Sequence, residues 1–222
     1  MVVCAALFVG FAATASAASI LIGAPATGGN CFPFDCVING PGNRYQQVYA
    51  ASDFSGPFTI TGVTFFDSLN PGATFTDADY TVSLSTTTKA VNGLDLVNLN
   101  NNVGGDNTLL FSGHRSGATG ASFTLSGGSF LYNPASGNLL LDIQLSNIGA
   151  RGQGFLDSRN GDAGGLFSRA HNFDGGFNNL GLVTQFEGAS VSTVPEPATL
   201  TLLGTGVFAL ARRTRGRRSH RA

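Results

Sequence analysis

The sequence predicts an all-β fold, a β-sandwich of jelly-roll type, flanked by an N-terminal signal helix and a short C-terminal transmembrane helix. Three observations carry this reading. Between residues 18 and 193 the apolar residues recur with period 2, and no stretch sustains the i, i+3, i+4, i+7 spacing of an amphipathic helix. Clusters of Gly, Asn, Asp and Pro separate the alternating runs, as tight turns require. Charged residues make up only 11% of the 222-residue chain, while Gly stands at 31 positions and Phe at 18. That composition excludes a charge-rich disordered chain and a heptad coiled coil. The glycines lack the three-residue period of collagen.

The elements follow in chain order. Val2 to Ala13 is apolar and leads into Thr14-Ala-Ser-Ala-Ala18, where Ala15 and Ala17 occupy the small-residue positions of a cleavage site. Residues 1–17 are therefore read as a signal peptide cut after Ala17. No Lys or Arg precedes the apolar run, a departure that keeps an N-terminal anchor as the alternative; export is expected in both cases. The first strand candidate is Gln46 to Ala51. Phe58 to Phe66 follows, with a change of phase at Gly62 that predicts a bulge. Tyr80, Val82 and Leu84 then alternate with Thr81, Ser83 and Ser85. Thr108 to Ser112 and the run around Phe123 and Leu125 come next. The clearest strand is Leu139 to Ser146, with Leu139, Leu141, Ile143 and Leu145 on one face. Gly154 to Asp157 and Leu182 to Glu187 complete the set. Residues 18–193 suffice for one sandwich domain with a core of Phe, Leu and Val, and no fixed repeat supports a solenoid.

Few residues in this body promise chemistry. Cys31 and Cys36 enclose Phe-Pro-Phe-Asp, and in an exported protein a disulfide is the first reading. So short a loop contributes about 2 kcal/mol, so its role is to pin the N-terminal segment. Zinc would need further ligands, and no His stands nearer than His114. His114 and His171 lie in no recognisable catalytic box and read as polar loop residues. Gly113-His-Arg-Ser-Gly117 does not fit a nucleophile elbow. Asp77 with Asp79, or Asp157 with Asp162, would have to flank a scissile bond to serve a glycosidase; solvated turn acids are the plainer account. Asp157-Ser-Arg-Asn-Gly-Asp162 has only a faint likeness to a calcium loop, with Arg159 among the would-be ligands. Asn98 to Asn102 is turn chemistry. Tyr45, Tyr49 and Tyr132, if exposed, could stack on sugar rings. Thr59-Ile-Thr61 and Thr86-Thr-Thr88 are too isolated for a regular ice-binding array. No catalytic residue, metal or cofactor is assigned.

The formal net charge of -1 conceals an asymmetry. Arg212, Arg213, Arg215, Arg217, Arg218 and Arg221 crowd the last eleven positions, leaving about -6 on the body. A basic tail can serve nucleic acid, but here an uncharged stretch, residues 198–211, directly precedes it. The pair reads as a membrane anchor obeying the positive-inside rule, so no nucleic-acid partner is expected. As a helix this stretch would span about 21 Å, short of a hydrocarbon core of about 30 Å. It suits a transient span of the inner membrane.

Residues 194–218 contain Pro195-Glu196-Pro197, then the short apolar stretch, then the arginine cluster. That order and spacing resemble the PEP-CTERM sorting signal of Gram-negative bacteria. The resemblance implies export by the secretion machinery and recognition by an exosortase, a membrane Cys protease/transpeptidase-like enzyme of bacteria that make exopolysaccharide. The same tail is sometimes labelled an ice-binding protein C-terminal domain, a label that does not itself imply ice binding. Within the body, Gly29 to Cys36, Arg44 to Ala50, Phe54 to Phe66, Asp106 to Gly113 and Pro134 to Ile143 resemble a recurrent type of PEP-CTERM exoprotein. The likeness implies a location and no chemistry. The expectation is a non-enzymatic exported protein, passing through a transient membrane anchor to the cell surface or extracellular matrix. There its role would be structural or adhesive, with exopolysaccharide as a candidate partner. A polysaccharide-binding module is the first alternative and a secreted hydrolase the second.

Overall fold

The computed structural model describes residues 17–25, 28–35, 43–68, 72–160, 165–172, 177–178 and 180–191. The chain divides into two compact units, residues 1–191 and 192–222, and every described residue belongs to the first. The signal helix, the 198–211 span, Pro195, Glu196, Pro197 and the arginine cluster lie outside the described residues. Among the described residues no helix is long and apolar enough to cross a membrane.

Twelve strands are described: β1 Ala17–Ile22, β2 Arg44–Tyr49, β3 Phe58–Phe66, β4 Ala78–Thr87, β5 Thr108–Arg115, β6 Ser122–Tyr132, β7 Asn138–Ser146, β8 Ser158–Asn160, β9 Phe167–His171, β10 Phe177–Asn178, β11 Leu180–Leu182 and β12 Thr184–Ser190. One sheet has the order β1-β12-β3-β6, the other β10-β9-β2-β7-β4-β5, and β8 pairs with β11. With the short strands and β9 set aside, β1-β12-β3-β6 faces β2-β7-β4-β5. That is the order two Greek keys produce in a jelly roll.

The core lies between the two sheets. Ile60, Val63, Phe65, Leu125 and Phe186 from the four-stranded sheet are fully buried together with Tyr45, Tyr49, Tyr80, Val82, Leu141 and Phe167 from the other. Tyr49 ties the layers together: its ring meets Phe186 edge-on at 4.9 Å, and its hydroxyl is 2.7 Å from Thr184 Oγ1. The expected bulge is present, with register shifts between Ile60 and Gly62 and between Glu187 and Gly188.

Several boundaries differ from the sequence reading. Gly154 to Asp157 is not a strand; Leu156 there forms only an isolated bridge with Asn30. Leu182 to Glu187 is divided at Val183 between β11 and β12. The strands β1, β8, β9 and β10 went unanticipated. The Phe167–His171 sequence is mixed, yet all five residues are buried, so no alternation marks them.

The 88–107 connection decides how much sheet surface remains free. It folds over the outer face of the six-stranded sheet, where Leu94 and Leu99 pack with Val48, Leu140 and Ala170 in a second small core. Gln46 Nε2 donates to Leu99 O at 3.0 Å, and Asn102 Nδ2 donates to Gln46 Oε1 at 2.8 Å. Asp95 organises the loop by accepting from the Val97 and Asn98 amides, both at 2.9 Å. These bonds, with that from Asn101, hold its carboxyl below the usual value.

Candidate functional site

The N-terminal turn and the loop before β8 form the walls of a cavity. Asn30 opens the turn, its Nδ2 donating to Phe32 O at 2.8 Å, and the Asp35 amide closes it on Cys31 O at 2.7 Å. Phe34 is the plug: fully buried, its ring lies 4.9 Å from Phe65, 5.0 Å from Phe123 and 5.6 Å from Tyr80. Driving Phe34 inward carries the next residue, Asp35, inward too. On the opposite side the 149–156 loop is clamped to Thr74, which exchanges backbone hydrogen bonds with Gln153 at 2.7 and 3.1 Å. Gly154 is required there. Its φ is +123°, and a Cβ would stand 2.2 Å from Ala73 Cβ. Between the walls is a half-open cavity of about 310 Å³, lined by Cys31, Asp35 and the 151–155 segment.

Its electrostatics centre on Asp35. The side chain is fully buried, and neither carboxylate oxygen has a hydrogen-bond partner. Burial, and secondarily the charge of Asp67, raise its carboxyl from 3.8 to about 8. Asp67 is also fully buried, with Oδ2 accepting from the Thr119 hydroxyl at 3.0 Å. The Tyr80 hydroxyl donates to Thr76 O at 2.9 Å; burial, then Asp35 and Asp77, push its own ionisation upward. Phe155 stands at the cavity with 51% of its surface exposed, beside the exposed Arg151 and Gln153.

The other residues singled out from sequence are placed differently from expectation. Tyr45, Tyr49 and Tyr132 are fully buried and offer no surface for a sugar. Their hydroxyls are committed inside, Tyr45 to Gln47 Oε1 at 2.6 Å and Tyr132 to Gly137 O at 2.7 Å. Neither histidine is in a loop. His171 is buried in β9 and stacks on Phe32 at 5.2 Å. His114 projects from β5 with Nε2 3.1 Å from Asp77 Oδ1 and Nδ1 3.1 Å from Asp79 Oδ1. Asn147 also donates to Asp79 at 2.6 Å; this bond first, and His114 second, lower the Asp79 carboxyl. All three members of that cluster are substantially exposed. Asp157 is buried, accepting from the Ser68 amide at 3.1 Å and from the Ser68 hydroxyl. Asp162, Cys36 and Ala15 lie outside the described residues. Ala17 opens β1 opposite Ala189. Among the described residues no three His, Cys, Asp or Glu side chains are grouped to hold a metal ion.

Sequence reasoning passed over Asp35, Arg151 and Phe155. The one available signal was an acid adjacent to an aromatic between two cysteines.

Strand order and core thus define an all-β sandwich domain with a cavity beside its N-terminal turn, followed along the chain by a second unit, residues 192–222. Residues 193–218 of that second unit match the family model described as PEP-CTERM protein-sorting motif. The protein therefore carries the recognition signal of an exosortase substrate and is exported for sorting to the cell surface. Comparison with curated proteins and with solved structures returned no match.

Proposed function

We propose that the protein is a non-catalytic structural or adhesive component of the cell envelope or exopolysaccharide matrix, delivered there by its C-terminal signal. The observation that carries this reading is the sorting motif at residues 193–218. The sandwich supports it in a second way: the 88–107 connection occupies the outer face of the larger sheet, making that face a packed layer. In this reading Cys31 pairs with Cys36 and pins the N-terminal turn. The 198–211 stretch holds the precursor in the inner membrane until processing.

Deleting residues 194–222 tests delivery. The expected result is loss of envelope or matrix retention, with the precursor no longer processed. Unchanged mature mass and location would overturn the reading.

One observation favours a second reading, that of a polysaccharide-binding module. The half-exposed Phe155 ring, flanked by Arg151 and Gln153, is the arrangement in which a sugar ring can stack and its hydroxyls be bonded. Retardation of the protein in gels containing the native matrix polysaccharide, lost in Phe155→Ala, would establish it.

A further inference from the structure

We propose that residues 151–155 form the contact face for an acidic sugar unit of a polysaccharide, a pyranose carrying a carboxylate of the uronic-acid type; this rests on the polysaccharide-binding reading and names the class of sugar. The sequence there alternates side chains with glycines: Arg151, Gly152, Gln153, Gly154, Phe155. The glycines are pressed inward. A Cβ would stand 2.1 Å from Thr74 O at Gly152 and 2.2 Å from Ala73 Cβ at Gly154. Alternate residues of an extended segment face opposite ways, and Arg151, Gln153 and Phe155 are all exposed. The segment is held along its length. The Asp77 amide donates to Ala150 O at 2.8 Å, the Gly152 amide to Thr76 Oγ1 at 3.1 Å and the Leu156 amide to Asn30 O at 3.0 Å. Phe155 is seated against Gly29, where a Cβ would stand only 3.0 Å from Phe155 Cβ. Contact residues held in place before binding lose little freedom when a ligand arrives.

Each outward side chain suits one part of such a sugar. The Phe155 ring offers a flat apolar surface to the pyranose, and the Gln153 amide can donate to and accept from its hydroxyls. Arg151 presents a planar fork of N–H donors that matches a carboxylate in two-pronged fashion. Among the described residues its guanidinium enters no ion pair or hydrogen bond. Arg44, by contrast, is committed to Asp142, and Arg115 lies over the Phe111 ring at 4.6 Å. Asp35 lines the same cavity without neutralising Arg151. Neither of its oxygens has a partner, and burial, with Asp67, raises the carboxyl to about 8, so it is protonated at neutral pH. The mouth of the cavity therefore sets an uncancelled positive charge beside an aromatic ring. Its volume of about 310 Å³ is at the small end of ligand sites, in keeping with one sugar ring. The body as a whole carries about -6, so a polyanion is held only where a localised cation meets it.

The test titrates the full-length protein by calorimetry with uronate oligosaccharides of the galacto, manno and gluco series, each beside its methyl ester. Plain and sulfated dextran are run in parallel. The ester keeps the ring and removes the charge, so it separates stacking from charge pairing. The expected outcome is that one uronate series binds about tenfold or more tightly than its ester. Arg151→Gln should bring uronate binding down to the level of the ester and leave the ester unchanged. Phe155→Ala should weaken both, and Arg115→Gln, on β5, should bind like the parent. Arg151 and Phe155 are exposed, so their variants should keep the parent's melting temperature. Equal binding of uronate and ester, lost in Phe155→Ala, overturns the acidic selection and leaves a module for neutral sugars. Absence of binding to every saccharide overturns that module as well. Uronate binding unaltered in Arg151→Gln would place the anion elsewhere and refute the proposal. Sulfated dextran bound as tightly as the best uronate, or an equal loss in Arg115→Gln, would reduce the effect to general charge attraction and refute it too.

Discussion

Arg44 and Asp142 form a two-pronged ion pair across β2 and β7, with Nε 2.8 Å from Oδ1 and Nη2 2.5 Å from Oδ2. The pair sits under the 88–107 connection, and the remaining Arg44 Nη1 donates to Asn100 Oδ1 at 2.6 Å. One guanidinium thereby joins the sheet to the loop that covers it. Asp142 is 2% exposed, so removing either partner leaves a charge with little access to water.

Asp142→Ala should therefore cost about 3–5 kcal/mol, the range for breaking a buried pair from one side. Replacing both members with apolar residues of similar volume, as in Arg44→Met with Asp142→Leu, should recover much of that loss. Urea unfolding of the single and double variants measures the difference. A loss in the double variant equal to the sum of the losses in the two corresponding single variants would show that the pair is not coupled.

The contact between Tyr49 and Thr184 predicts an asymmetry. Tyr49→Phe leaves the Thr184 hydroxyl its second bond, to Leu182 O at 3.0 Å, and should cost about 1 kcal/mol. Thr184→Val strands a buried phenol hydroxyl and should cost more, about 1–3 kcal/mol. Denaturation midpoints of the two variants rank them directly. The reverse ranking would mean that Tyr49 finds another acceptor.

Gly188 at the β12 register shift allows no side chain, because a Cβ there would stand 1.9 Å from Thr59 O. Gly188→Ala should cost roughly 3 kcal/mol or more and reduce soluble yield. Gly56, where a Cβ would meet nothing within 4 Å, is the matched control. Its alanine variant should stay within about 0.5 kcal/mol of the parent. Thermal melts of both variants distinguish bulge packing from general glycine effects.

Asp53 predicts a pH dependence of known sign. One carboxylate oxygen is buried without a partner, and burial raises the group from 3.8 to about 6. Between those values the folded state holds a proton that the unfolded chain has released. This group therefore withdraws stability as pH rises from about 4 to about 6, and its effect is constant above that. Asp53→Asn should lack this segment of the profile. The difference in urea midpoint between parent and variant, followed across that interval, should grow with pH and then level. A difference independent of pH would exclude the titration.

Much of the framework was legible in the sequence for a simple reason. A strand between a core and solvent repeats every two residues, so β3 could be read from Phe58 to Phe66 and β7 from the leucines after Asn138. Gly62 marked its bulge because a phase change in that alternation has few other causes. The sorting motif was legible because a membrane enzyme must recognise it as linear chemistry: a rigid Pro-Glu-Pro, an apolar run and arginines.

The tertiary structure decided what lies against each strand. Leu140 and Asp142 look outward-facing in the alternation, yet both are buried because a loop about fifty residues earlier covers them. Tyr45, Tyr49 and Tyr132 became core because each hydroxyl finds an internal acceptor or partner, which no local pattern announces. Asp35 shows the difference most clearly. By itself the sequence determined an acid beside a phenylalanine between two cysteines; only the packing of Phe34 against Phe65 and Phe123 drew that acid out of water and left its oxygens unpartnered. Periodicity is a local property of the chain, whereas desolvation depends on segments that meet only when the sheets close.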